Sequence, residues 1–310
     1  MIDPRQAASR STAPLFHGLS AFPITPADAA GRVDVRALAT LLAQLQAAGV
    51  DSVGLLGSTG TYAYLTRSEK RRAIEAAVDT TGGRVPVIVG IGALRTDDAI
   101  DLAKDAQAAG ASGVLLAPVS YTPLTDQEVF HHFAAVAEAT DLPLCIYNNP
   151  ATTHFSFSDE LIVRLAEVPR IVAVKNPAPA PAEAKAKVAA LRARLPADFA
   201  LGYSVDWQAA DAVLAGGVAW YSVIGGLMPR PSLALMRAAQ AADAAEVRRL
   251  DAAFAPLWDL FKRYGSIRVI YAAANALGVT NAQPPRPILP LGGGDLAHVE
   301  KMIIELSGSR

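Results

Sequence analysis

Arg170-Ile171-Val172-Ala173-Val174-Lys175-Asn176-Pro177 is the stretch that decides the fold. Its apolar residues run without a polar break and are mostly β-branched, which reads as a strand covered on both faces, as in parallel sheets. The run closes on an amine, and Asn176-Pro177 ends it. Upstream, Leu142-Pro143-Leu144-Cys145-Ile146-Tyr147 has the same layout and closes on a phenol, followed by Asn148-Asn149-Pro150.

Working outward, the unit recurs about every 30 residues. Apolar runs lie at 15–25, 50–58, 85–92, 112–119, 142–149, 170–177, 199–204 and 218–225. Each leads through a polar or Gly-rich turn into an alanine-rich amphipathic stretch. These stretches lie near 35–48, 66–80, 96–109, 125–139, 158–167, 180–194, 206–215 and 231–241. Eight strand–helix units predict an α/β protein with a (β/α)8 (TIM) barrel over 15–241. Three further helices near 243–264, 266–278 and 295–306 predict a small C-terminal helical domain over 242–310, with a Pro- and Gly-rich stretch at 283–294. Residues 1–14 read as a loose tail, neither signal peptide nor anchor. A doubly wound open sheet is the alternative. Against it, Gly90-Ile91-Gly92 lacks the third glycine of a dinucleotide site, and no Gly-Lys-Ser/Thr follows the 57–60 loop.

Apolar residues make up 52% and charged residues 18% of the 310, enough for a large core. A net charge of -1 gives no electrostatic reason to expect nucleic acid or an anionic membrane as partner. No apolar run is long enough to span a bilayer. The single cysteine, Cys145, excludes an internal disulfide or a multi-cysteine zinc site and favours a cytoplasmic location. Inside an apolar strand it reads as a buried, inert thiol. His131-His132 lack partners at metal-ligand spacing, and nothing requires a metal or organic cofactor.

Barrel active sites form where strands end. There the sequence places Gly57-Ser58-Thr59-Gly60-Thr61, Ser120-Tyr121, Tyr147-Asn148-Asn149-Pro150, Lys175, Tyr203-Ser204 with Asp206 beyond, and Tyr221-Ser222. Each alone has an ordinary reading: a solvated lysine, a capping turn, a packed ring. Together they put an amine, phenols and hydroxyls on one face. An amine there can form a Schiff base with a carbonyl compound, and a neighbouring phenol can move the protons.

With these residues, the chain resembles the dihydrodipicolinate synthase/N-acetylneuraminate lyase family of class I, Schiff-base-forming aldolases over about 15–305. Gly57-Ser58-Thr59-Gly60 is similar to the family's Gly-[Ser/Thr]-Thr-Gly-Glu loop, Tyr147-Asn148-Asn149-Pro150 to its Tyr-Asn-x-Pro motif, and Val172-Ala173-Val174-Lys175 to the strand carrying its lysine. The resemblance implies that Lys175 attacks pyruvate or another 2-oxo acid. Tyr147 is then the general acid/base, and Thr59, Tyr147 and Tyr121 form a proton relay. The backbone N–H groups of Ser58 and Thr59 would hold the carboxylate at a helix N-terminus. In the family, Tyr121 comes from an adjacent subunit, which implies a homo-oligomer, commonly a dimer of dimers (a homotetramer).

The departures fall on specificity positions. Thr61 replaces the loop's Glu, and Ser204 replaces the usual glycine on the seventh strand. Thr152 stands where the synthase branch has an Arg that binds the second substrate's carboxylate. Threonine cannot make that bidentate contact. The substrate positions expected are therefore Ser58, Thr59, Thr61, Thr152, Ser204 and Tyr221. The function expected is a cofactor-free lyase acting on pyruvate or a related 2-oxo acid, by aldol cleavage, condensation or dehydration. The alternatives are 4-hydroxy-tetrahydrodipicolinate synthase, joining pyruvate to aspartate semialdehyde, and a non-catalytic 2-oxo acid binding protein.

Overall fold

The computed structural model describes residues 15–308; the tail expected over 1–14 lies outside them. Eight strands, β1 (Gly18–Ala21), β2 (Ser52–Leu55), β3 (Val87–Gly90), β4 (Gly113–Leu116), β5 (Leu144–Tyr147), β6 (Ile171–Pro177), β7 (Ala200–Ser204) and β8 (Ala219–Ser222), pair in parallel in chain order. β8 returns to β1 through Gly18↔Ala219 to Ala21↔Ser222. The sheet is closed, as the eight-unit count predicts, and the open doubly wound sheet is ruled out.

The helices α1 (Val35–Ala48), α2 (Arg67–Thr81), α3 (Thr96–Ala108) and α4 (Asp126–Glu138) follow the first four strands. The short α5 (Pro150–Thr153) precedes α6 (Asp159–Ala166) after β5. Then come α7 (Pro181–Arg192), α8 (Asp206–Leu214) and α9 (Pro229–Gln240). Local chemistry sets their ends. In α1 the Asp34 carboxylate accepts from the N–H groups of Arg36 and Ala37, and Gly49 closes the helix at φ 80°. Between them Leu38, Leu41, Leu42 and Leu45 recur at helical spacing and are buried, each worth roughly 1.5–3 kcal/mol. Thr125 and Glu128 form a reciprocal capping box on α4.

Three elements are absent from the sequence-based reading: α5 and the 3-10 turns Tyr62–Tyr64 and Ile224–Gly226. A single turn has no repeat to read.

Two-residue alternation sends Cys145 and Tyr147, Ala173 and Lys175, Ala219 and Tyr221 to the barrel interior. The apolar members join Phe16, Phe22, Ile88 and Leu115 in an inner cluster. A second cluster fills the space between strands and helices and continues into α10 (Ala244–Tyr264), α11 (Ser266–Ala276) and α12 (Gly293–Gly308). Phe254 stacks on Trp258 within α10, and Tyr271 of α11 is buried against the barrel loops.

Candidate active site

Tyr147 of β5 pairs in register with Lys175 of β6, which pairs in turn with Gly202 of β7. The same register points both side chains inward at the carboxyl ends of their strands. Lys175 is only 5% exposed. Its Nζ lies 3.7 Å from the centroid of the Phe22 ring, 4.3 Å from that of Tyr147 and 5.8 Å from that of Tyr221. Small residues make room for these rings. A Cβ on Gly54 would overlap the Phe22 ring, and one on Gly57 would approach it to 2.7 Å. Gly202 leaves space for Tyr221, which meets Phe22 edge-on at 6.0 Å. The amine thus sits in an apolar, electron-rich enclosure, suited to a nitrogen that becomes cationic when it condenses with a ketone.

The Tyr147 hydroxyl lies 3.0 Å from Ser58 Oγ. Asn149 Nδ2 donates to Tyr147 Oη at 2.9 Å and to Ser58 Oγ at 3.3 Å. The loop hydroxyl that reaches the phenol is therefore that of Ser58, not the Thr59 hydroxyl assigned to the relay from the resemblance. Two non-glycine residues in left-handed conformation, Leu56 (φ 55°) and Thr61 (φ 55°), bracket the loop and set which side chain turns inward. Among the described residues nothing accepts a hydrogen bond from the backbone N–H groups of Ser58 or Thr59. The helix N-terminus expected at Ser58 and Thr59 is not found there, because the loop does not open a long helix. It enters the 3-10 turn Tyr62–Tyr64, and α2 begins only at Arg67.

The remaining expected residues are more scattered. Thr61 is 3% exposed, and its side chain acts on the buried Tyr271 phenol of α11, opposing the rise that burial gives that group, so it faces the C-terminal helices. Thr152 lies on the exposed surface of α5, its hydroxyl donating to the Asn149 carbonyl at 3.3 Å. Ser204 Oγ donates to the Asn176 carbonyl at 3.1 Å and so fixes the end of β6. Tyr121, after β4, is 97% exposed and makes no contact with Tyr147 within this chain.

Tyr221 is fully buried, with its hydroxyl 3.6 Å from Cys145 Sγ. Burial pushes the Tyr221 phenol well up, and pushes the Cys145 thiol up to about 12. That is the inert thiol expected of an apolar strand.

Phe22 is new to the set read from the sequence, while Asn149 and Asp206, placed at strand ends there without a role, gain one. Asp206 is 3% exposed and accepts from Trp220 Nε1 at 3.0 Å and from the Ile224 N–H at 2.9 Å. Burial raises its pKa, opposed by these donors and by the charge of Lys175. It pins the turn after β8. Asp206 had a signal, a carboxylate just beyond a strand end. Phe22 had none, since apolar residues abound at strand ends.

The Dihydrodipicolinate synthetase family model matches residues 15–306. The 4-hydroxy-tetrahydrodipicolinate synthase of Aromatoleum aromaticum is 33% identical, covering 89% of this chain and 93% of its own. That of Thiobacillus denitrificans is 36% identical, covering 87% and 90%. Among solved structures, a dihydrodipicolinate synthase from Agrobacterium tumefaciens superposes with TM-score 0.92 at 64% identity, over 94% of this chain and 98% of that one. A match over almost the whole chain, with a buried lysine beside a hydrogen-bonded tyrosine at the barrel mouth, means that the chain belongs to the dihydrodipicolinate synthetase family and, with it, to the Schiff-base-forming lyases.

Proposed function

We propose that Lys175 condenses with pyruvate or a closely related 2-oxo acid. The observation that carries this is its Nζ, enclosed by Phe22, Tyr147 and Tyr221 beside the hydrogen-bonded Tyr147 hydroxyl. The neutral amine attacks the C2 carbonyl, water leaves, and the iminium draws electrons from C3. A proton can then leave C3, or a C–C bond there can form or break. Tyr147 moves the protons, with Ser58 as its partner in place of Thr59. The free N–H groups of Ser58 and Thr59 suit the 2-oxo acid carboxylate. The covalent iminium is the electron sink, so this scheme uses no metal or organic cofactor. Tyr121 would enter from a second copy of the chain, making the active form a homo-oligomer. The single cysteine fits a cytoplasmic setting. Among the described residues no helix is long and apolar enough to cross a membrane.

The names of the relatives favour one second reading, synthase activity on aspartate semialdehyde. Against it stands Thr152, which offers one exposed hydroxyl where bidentate carboxylate recognition calls for a guanidinium. The test begins with pyruvate and borohydride followed by intact mass. Wild type should gain one reduced adduct on the peptide containing Lys175, and Lys175→Ala should lose adduct and turnover while keeping its melting temperature. An adduct of equal size on the variant would remove Lys175 from the mechanism. A kcat/KM near 10⁴ M⁻¹s⁻¹ or above with aspartate semialdehyde, on the general enzyme scale, would establish the second reading.

A further inference from the structure

Asn149 occupies the variable position of Tyr147-Asn148-Asn149-Pro150, and its side chain turns into the site. Its Nδ2 lies 2.9 Å from Tyr147 Oη and 3.3 Å from Ser58 Oγ, and those two oxygens are 3.0 Å apart. An amide nitrogen has two hydrogens and no acceptor capacity, so both contacts are donations. The Ser58 hydroxyl hydrogen can then go to Tyr147 Oη. The phenol oxygen would accept from both neighbours, which leaves its own hydrogen for the substrate.

The base of the Asn149 side chain is also fixed. The Asn149 carbonyl accepts from the N–H groups of Thr152 and Thr153 at 3.0 Å each, and from the Thr153 hydroxyl at 3.0 Å. The one turn of α5 therefore holds the amide over the phenol.

We infer that Asn149 is a positioning residue that sets Tyr147 as a proton donor and, with Ser58, holds the phenolate left behind. The inference rests on the Schiff-base reading and deepens it. When the carbinolamine collapses, the Tyr147 O–H bond breaks and its proton goes to the departing oxygen, which leaves as water. The Lys175 nitrogen lone pair becomes the new C=N bond, and the O–H electron pair stays on Tyr147 Oη. Asn149 N–H and Ser58 O–H donate to that oxygen, the arrangement that favours the charged form. The phenolate then takes a proton from C3 of the iminium, giving the enamine and restoring the phenol. Protons and electrons balance without a further reagent.

The test is a double-mutant cycle on a half-reaction. Exchange of the pyruvate methyl hydrogens into D2O is followed by NMR, with the borohydride adduct measured on the same samples. Asn149→Leu keeps the side chain's bulk and removes both donors. It should slow exchange about 10- to 150-fold, the worth of a hydrogen bond to a charged group, while the saturating Lys175 adduct still forms. In a Tyr147→Phe background the same change should cost no more than about twofold, because the oxygen through which it acts is gone. Asn149→Asp, equal in shape and without N–H donors, should also slow exchange, and it carries the test if the leucine variant melts early. Equal losses in both backgrounds would show that Asn149 acts through α5 and overturn the inference, as would wild-type exchange in the aspartate variant. Absence of adduct and of exchange in the wild type would instead remove the Schiff-base reading itself.

Discussion

At the scale of single residues, the barrel interior holds polar atoms in an apolar setting, and Cys145 shows the consequence. It is fully buried beside Tyr221, and burial raises its thiol from an ordinary 9.0 to about 12. The folded state therefore keeps the proton where the unfolded chain gives it up. Between those two values the unfolded chain binds fewer protons, so stability falls as pH rises, by up to about 1.4 kcal/mol per pH unit. Well below pH 9 the thiol contributes no slope, and at pH 9 about half of it. Cys145→Ala should flatten this alkaline loss while costing a little stability at neutral pH through the small cavity it leaves. Urea midpoints of both proteins at about pH 8, 9 and 10 would show it. Parallel losses above pH 9 would mean that buried phenols such as Tyr221, and not the thiol, control the slope.

At the scale of elements, the periodicity of the chain is unusually informative and its limits are local. Continuous β-branched runs have no stable place except inside a parallel sheet, so all eight strands were legible, as were the long helices with their buried leucines. Lys175 and Tyr147 were legible because each ends such a run. What could not be read depends on backbone angles and on empty space. Whether Ser58 or Thr59 faces Tyr147 follows from left-handed Leu56 and Thr61, conformations that no apolar pattern signals in non-glycine residues. Phe22 joins the Lys175 enclosure only because Gly54 of β2 lacks a side chain. That contact gives a prediction about the β1–β2 interface. In Gly54→Ala the new methyl overlaps the Phe22 ring, an overpacking that should cost about 1–3 kcal/mol and shift the ring against Lys175. Phe22→Ala should then cost less stability in the Gly54→Ala background than in the wild type, since the two changes share one space. The check is denaturant unfolding of the two single variants and the double. Strict additivity would show that strain at Gly54 is relieved elsewhere.

At the scale of the whole molecule, one closed barrel carries every residue of the Lys175–Tyr147–Ser58 constellation except the second phenol expected of it. Tyr121 is 97% exposed on the loop after β4, and Leu94, 67% exposed, lines a groove together with Val119 and Leu124 of the same loop. A large aromatic ring and an apolar side chain held in water on one face are a poor solution for an isolated chain and a natural one for a contact surface. If Tyr121 serves the site of a second copy, two crippled variants should complement each other. Lys175→Ala has no nucleophile but offers an intact Tyr121, while Tyr121→Phe has the nucleophile and lacks the hydroxyl. Co-expressed and isolated as mixed assemblies, they should turn over pyruvate and its partner substrate faster than either parent assembly. The gain comes from sites that combine Lys175 of one chain with Tyr121 of the other. If Tyr121 acts within its own chain, no mixed site is complete and no gain is possible. The sedimentation profile of the wild type measured alongside ties the outcome to assembly. A fully active monomer, or mixed assemblies no faster than the average of their parents, would rule out a Tyr121 supplied by a second chain and confine the proton path to residues of one chain.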